Sequence, residues 1–331
     1  RWMAALPLYM FAVLVKPQAI LFAPVAGVWL LLSLIFTDTA ARRAQWKSML
    51  WGLLIAAGVA AVVIVPFSIK QSDPLWLVTL YQKTISSYDY AVLNTTNLLY
   101  VLGGNWSPLH ADSGQNVVKL SPFIPALTGC LLLLAGVWAA RLWHGAKAWL
   151  FGLRTLPARL FGRDAKGGEG RRDALAVLCM VGGLVFIGLA FAAPTFATYG
   201  TALMVLTYLF AITGLVADRS ADALPFYLAL AMVLVYVFGL KIHERYLYAA
   251  LLLLPLAYVR TRDRRLLWFC AGLSVTTFIN VAVVLNNALL FGASMGHLNA
   301  DTLWLNSLLS VVNVLLALYG GYIAITGLSA S

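Results

Sequence analysis

From Leu50 to Ile69 the chain carries no charged residue, and that stretch matches the ~20 apolar residues a helix needs to cross the hydrocarbon core of a bilayer. The pattern returns at Phe123–Ala140, Ala174–Ala193, Thr201–Val216, Leu224–Leu240, Leu247–Val259, Leu266–Leu285 and Thr302–Ile323. A longer apolar stretch, Trp2–Phe36, is interrupted by Lys16-Pro17-Gln18. Pro17 disfavours helix at Lys16 and has no N–H to give to the preceding turn, so this stretch reads as two helices meeting at a polar break. Backbone inside lipid must satisfy its own hydrogen bonds, and these runs suit helices rather than the alternating strands of a barrel. The expected fold is an all-α, polytopic transmembrane helical bundle of about ten helices, forming a single domain over residues 1–331.

A soluble chain that is 62% hydrophobic over 331 residues, with a mean hydropathy of +0.87, would have no polar surface to cover itself. Cys130, Cys179 and Cys270 all fall inside apolar runs; scattered and odd in number, they read as small core hydrophobes rather than disulfide or metal partners. The chain opens on Arg1 without an initiator Met or a signal peptide, and is expected to be a fragment lacking its N-terminal part.

Alternating the spans across a membrane sorts the charge. Loops 37–49, 141–173, 217–222 and 260–265 fall on one side and carry sixteen of the 23 Lys and Arg, whereas loops 70–121 and 241–245 carry five. The positive-inside rule puts the first set in the cytoplasm. The net charge of +11 is then topology, with some attraction to anionic lipid heads, and not a nucleic-acid signal. The basic loop 141–173, with its glycine-rich patch at 166–170, reads as a topology and lipid-head element. Lys16, the 70–121 loop and the stretch 241–246 all come to the outer, non-cytoplasmic side.

That last stretch, Lys241-Ile242-His243-Glu244-Arg245-Tyr246, packs four ionisable, non-aromatic residues between two apolar runs. Moving Lys, Glu or Arg to the bilayer centre costs roughly 2.5–3.5 kcal/mol each, so they lie at a membrane surface or in a polar cavity near it. The stretch is either a short hydrophilic turn or the mouth of an active site. Arg245 suits bidentate phosphate binding. His243 can bind phosphate or shuttle a proton, and Glu244 can fix its tautomer or accept from a sugar hydroxyl. Consecutive residues must face different partners, so the three do not form a triad alone. Neither His110 nor His297 has metal-ligand spacing to His243.

Lys16 and Gln18 sit where the helix break frees backbone polar groups to line a cavity. Lys16 can snorkel to the interface or neutralise a lipid-linked phosphate. In the outer loop, Asp73-Pro74 opens a helix on which Trp76, Leu80, Tyr81, Thr84 and Tyr88 recur at helical spacing. An amphipathic helix lying on the membrane surface is expected there, as support rather than as catalyst. Beyond it, Asn94, Asn97, Asn105 and Trp106, with Gly103 and Gly104, suit either a wall that hydrogen-bonds and stacks on a sugar or an ordinary polar turn.

Lys16-Pro17-Gln18-Ala19 at a helix junction, Asn94–Trp106 in the outer loop and Ile242-His243-Glu244-Arg245-Tyr246 together resemble the polytopic GT-C glycosyltransferases. Nearest are the bacterial polyprenyl-phosphate-sugar-dependent transferases (mannosyl- and glucosyltransferase-like), which are similar to the eukaryotic dolichyl-phosphate-glucose glucosyltransferases. Lys-Pro-Gln and Ile-His-Glu-Arg stand where that family has a Lys-Gln break and a Val-His-Glu-Lys-type motif, and Leu273–Asn280 looks like the span that follows it. The resemblance implies inverting transfer of a hexose from a polyprenyl-phosphate donor to a glycan, lipid or protein acceptor. The active site would face the periplasm or exterior of a bacterial inner membrane. His243 and Glu244 would be catalytic, and Lys16, Gln18, Arg245, Tyr246, Asn94, Asn97, Asn105 and Trp106 substrate-binding. It implies no cofactor besides the donor substrate, leaves a divalent metal open, and gives membrane lipids, but no nucleic acid, as partners. It also implies an acidic base in a first outer loop, which would precede Arg1; Asp89, beside the interfacial helix in a different loop, is a poor substitute.

A transporter would instead call for polar residues near mid-span, paired broken helices and internal repeats, and the sequence offers one clear break and no convincing repeat. Flippases, polymerases and ligases of lipid-linked glycans share the outer-face chemistry, and the residues separate them poorly from a transferase.

Overall fold

The computed structural model describes residues 2–86, 89–109, 117–143, 169–291 and 300–328. The basic stretch 144–168, His110, His297 and Tyr88 lie outside the described residues. The chain divides into two units, residues 1–88 and 89–331, and the division falls inside the expected outer loop.

In the first unit, helix α1 (Trp2–Val15) stops where the proline predicts. Lys16 is extended, with φ −143° and ψ 101°, and caps a 3-10 turn, Pro17–Phe22, that runs into α2 (Ala23–Ile35). The break exposes carbonyls, and one is used: the Tyr9 hydroxyl donates to the Ala19 oxygen at 2.8 Å. Helix α3 (Thr39–Ser68) packs against α1 at Gly52, where a Cβ would collide with the Trp2 carbonyl. Helix α4 (Trp76–Ser86) follows the expected start. Asp73 accepts from the Leu75 N–H at 2.8 Å and the Thr79 hydroxyl at 3.0 Å, and the Trp76 indole donates to the Ser68 hydroxyl at 2.9 Å. Its expected face is split: Trp76 and Tyr81 are half-buried, while Leu80 and Thr84 are exposed with Leu75 and Val78.

The second unit is built around a helix that is apolar on every side, as a central helix must be. Its elements in order are a strand β1 (Val92–Leu93), α5 (Leu98–Val101), α6 (Phe123–Trp143), α7 (Glu169–Phe191), α8 (Phe196–Asp218), α9 (Leu224–Phe238), a strand β2 (Ile242–His243), α10 (Tyr248–Thr261), α11 (Arg265–Phe291) and α12 (Ala300–Thr326). Helix α9 is the central one: Phe226, Tyr227, Ala229 and every residue from Leu230 to Val237 are buried, with α8, α10 and α12 packed on it. Helices α6 and α7 approach closely through small residues; a Cβ on Gly129 would stand 2.6 Å from the Gly183 oxygen. At the start of α9, Asp218 pairs with Arg171 and accepts from the Tyr227 hydroxyl, and Arg265 binds Asp263, the Thr326 hydroxyl and the Gly327 carbonyl.

Among the described residues seven helical segments are long and apolar enough to cross a membrane: 17–35, 41–68, 123–140, 170–191, 196–218, 265–290 and 303–326. This is an all-helical membrane protein with a two-residue parallel strand pair. Three of the expected spans are short: α1 and α10 have 14 residues and α9 has 15, fewer than the ~20 that a lone spanning helix uses. Cys130 is exposed and Cys179 and Cys270 are intermediate, so the core placement expected for Cys130 is corrected: it looks outward from α6.

Candidate functional site

The two ends of α9 differ in kind, and the Phe238 end carries the singled-out residues. There Gly239 turns the chain into extended backbone, φ −89° and ψ 166°. Lys241 takes a left-handed φ of 56°, and Ile242-His243 then runs parallel to Val92-Leu93, pairing Val92 with Ile242 and Leu93 with His243. The Lys241 N–H donates to the Ala91 oxygen at 3.0 Å, and the Thr95 hydroxyl to the Ile242 oxygen at 2.6 Å. Ile242 is 2% exposed and Leu247 0%. These two anchors hold His243-Glu244-Arg245-Tyr246 between them as a short raised turn, continued by the 3-10 residues Glu244–Leu247 into α10. His243, Glu244 and Tyr246 are half-exposed and Arg245 is exposed. The His243 and Tyr246 rings lie 5.5 Å apart.

Burial lowers the His243 imidazole from its ordinary value; the Glu244 charge pulls it up and the Arg245 charge pushes it further down. The net direction leaves a neutral ring at pH 7, able to accept a proton.

The outer-loop amides have a different role from the one their composition suggests. Asn97 is fully buried. Its side chain caps α5 by accepting from the Tyr100 N–H at 3.0 Å, and it donates to the Tyr236 and Gly239 oxygens at 3.3 and 3.4 Å. Asn94, 9% exposed, accepts on one oxygen from the Trp106 indole at 2.9 Å and the Asn105 amide at 3.3 Å, while its own N–H donates to the Asn105 oxygen at 2.9 Å. Buried amides must find partners; Asn94 finds them within the loop and Asn97 at α5 and the end of α9. Asn94 and Asn97 are therefore scaffold residues rather than a wall offered to a sugar. Trp106 keeps a half-exposed ring, set edge-on to Tyr90 at 5.1 Å between centroids. The two glycines have mechanical reasons: Gly103 has φ 83°, and a Cβ on Gly104 would meet the Leu99 oxygen at 2.8 Å.

Beneath the corner lies a buried polar seam that the sequence reading did not assemble. Asn280 of α11 accepts from the Thr96 N–H at 3.3 Å and the Tyr236 hydroxyl at 2.9 Å, and donates to the Asn94 oxygen at 3.1 Å. Asn313 of α12 donates to the Thr96 oxygen at 2.7 Å and its hydroxyl at 3.0 Å, and Asn306 donates to the Tyr100 hydroxyl at 3.3 Å. Asn280 and Asn313 sit near the middle of their apolar helices, so the loop 94–97 enters to that depth. Irregular backbone is tolerated at membrane depth where protein surrounds it; Asn280 and Asn313 bond the loop itself and Asn306 the helix α5 that follows it. The available signal was an amide in the middle of each apolar run.

The structure brings together Asn94, Asn97, Asn105, Trp106, His243, Glu244, Arg245 and Tyr246. Lys16 and Gln18 belong to the first unit, where Lys16 is exposed and Gln18 half-buried at the helix break. The corner also contains a residue set aside on sequence grounds: an Asp89 carboxylate oxygen lies 2.9 Å from the Lys241 ammonium. Among the described residues no three His, Cys, Asp or Glu side chains group as a metal site would require. The chain matches no family model, no curated protein and no solved structure.

Proposed function

We propose that this chain is a GT-C-like membrane glycosyltransferase that moves a hexose from a polyprenyl-phosphate-sugar to a glycan, lipid or protein acceptor at the outer face of a bacterial cytoplasmic membrane. The observation that carries the reading is the raised turn 243–246: a neutral-biased imidazole, a carboxylate and an exposed guanidinium, held between Ile242 and Leu247. The basic loops 217–222 and 260–265 lie at the other ends of α9 and α10 from this turn, which supports an outward-facing site under the positive-inside rule.

In this scheme the acceptor oxygen attacks the anomeric carbon from the face opposite the phosphate and gives its proton to a base on that face, while His243 contacts the departing phosphate. The bond from that carbon to the phosphate oxygen breaks, and its electron pair stays on the departing polyprenyl phosphate. Arg245 stabilises the charge that develops there, and a guanidinium suits phosphate geometry. Glu244 orients the imidazole or a sugar hydroxyl. The half-exposed faces of Trp106 and Tyr246 suit stacking on the apolar side of a pyranose, with Asn105 beside Trp106. The lipid tail stays among the helices, which is why such an enzyme is built inside a membrane.

A transport reading draws on the mid-span Asn280 and Asn313. Their amide donors go to the backbone of the 94–97 loop, which favours a clasp over a path. The test is a membrane assay with radiolabelled undecaprenyl-phosphate-mannose and -glucose. The transferase reading expects hexose to leave the donor and undecaprenyl phosphate to accumulate in step; an unconsumed donor across a range of acceptors contradicts it.

A further inference from the structure

The Lys241–Asp89 pair stands at the edge of this site without a role in the scheme above. Its ammonium-to-carboxylate distance is 2.9 Å, and the side chains are 29% and 24% exposed. Lys241 occupies a left-handed φ of 56°, a conformation that costs an L-residue roughly 1–2 kcal/mol and that glycine would adopt freely. Backbone strain kept by a side-chain-bearing residue points to a use for the side chain. Holding the corner is not that use, because β1–β2, the Thr95 bond to Ile242 and the Asn97 bond to Gly239 already fix it. Both groups reach solvent, so another anion can approach the ammonium. His243 follows two residues later, and Arg245 two beyond that.

We propose that Lys241 is a further phosphate-binding residue of this site, held in reserve by Asp89 until the phosphate of the ligand displaces the carboxylate. This rests on the phosphate-binding reading of the turn 243–246. The pair keeps a half-buried cation neutralised while the site is empty, and the polyprenyl phosphate monoester that transfer leaves behind, with three free oxygens against a carboxylate's two, takes it over. No bond is made or broken in the exchange. Asp89 is then a competitor for the ligand, and removing its charge strengthens phosphate binding. A purely structural ion pair would behave in the opposite way.

The experiment measures binding of undecaprenyl phosphate, of inorganic phosphate and of phosphate-free undecaprenol to the purified full chain in nanodiscs. D89N, K241Q, K241R and the D89N/K241Q double variant are compared with the parent. The expected result is about threefold to tenfold tighter undecaprenyl phosphate binding in D89N and about tenfold weaker binding in K241Q. K241R should lie close to the parent, the double variant should match K241Q, and undecaprenol should be indifferent to all four. Unchanged or weaker binding in D89N, a D89N chain that fails to fold, or tightening confined to inorganic phosphate overturns the proposal. A parent chain that binds neither phosphate overturns the transferase reading with it; binding that D89N does not strengthen overturns this inference alone.

Discussion

Leu93 pairs with His243 in a parallel ladder two residues long, joining a strand before α5 to the turn after α9. This pairing converts two polar stretches of one sequence into a single corner. Residues that fix the corner and residues that face outward from it should fail in different ways when changed.

Asn97→Ala removes the α5 cap and leaves the Tyr236 and Gly239 oxygens without their amide donor. Losing a cap and stranding buried acceptors costs about 2–4 kcal/mol. A clear drop in Tm of the purified chain is expected, together with loss of whatever activity the corner supports. An unchanged Tm would return Asn97 to the list of ligand-binding candidates.

Asn280→Leu strands the Asn94 oxygen and the Thr96 N–H in the bundle interior and takes one partner from the Tyr236 hydroxyl. Each orphaned buried group carries a penalty of about 1–3 kcal/mol, so this variant should be less stable than a leucine at the exposed Ser274 of the same helix. Hydrogen exchange at Thr96 offers a local readout, with faster exchange expected in the variant.

Gly104→Ala places a methyl 2.8 Å from the Leu99 oxygen and 3.0 Å from the Phe196 ring. Overpacking of this kind typically costs about 1–3 kcal/mol. The Tm should fall, and substitution at Gly27, where a Cβ meets nothing within 4 Å, should leave it nearly unchanged.

The lowered His243 value sets a pH dependence. A neutral ring is favoured in the folded state, so the associated stability is present above the ordinary value of about 6.5 and is lost as pH falls through the depressed one. If the neutral His243 ring is the working form, the acid limb of the transfer rate lies below pH 6.5. Glu244→Gln removes an upward pull and should move that limb further down, and Arg245→Gln should move it up. Coincident limbs in all three proteins would dissociate His243 from the transfer rate.

Much of the architecture was legible because apolar runs of membrane length leave backbone few options. The helix break at Lys16-Pro17 followed from one proline's missing N–H, and the α4 start from Asp73-Pro74. The prominence of His243–Tyr246 was legible from charge alone. What could not be read was pairing at a distance. Nothing local in Val92-Leu93 announces a partner at Ile242-His243, or that Asp89 stands against Lys241. The outer-loop amides stayed ambiguous for a related reason. Asparagine beside glycine looks the same in sequence whether it faces a ligand or a backbone carbonyl, and burial decides between them. Asn97, fully enclosed, is the clearest case.

The central claim is that the turn 243–246 handles the phosphate end of a lipid-linked sugar. It is tested most directly by measuring hexose release from undecaprenyl-phosphate-hexose with the parent chain and with His243→Ala, Glu244→Ala and Arg245→Ala, each checked for expression and membrane insertion. The account predicts transfer by the parent and a loss of about a hundredfold or more in each variant, with insertion intact. Near-parental transfer in all three variants would contradict it.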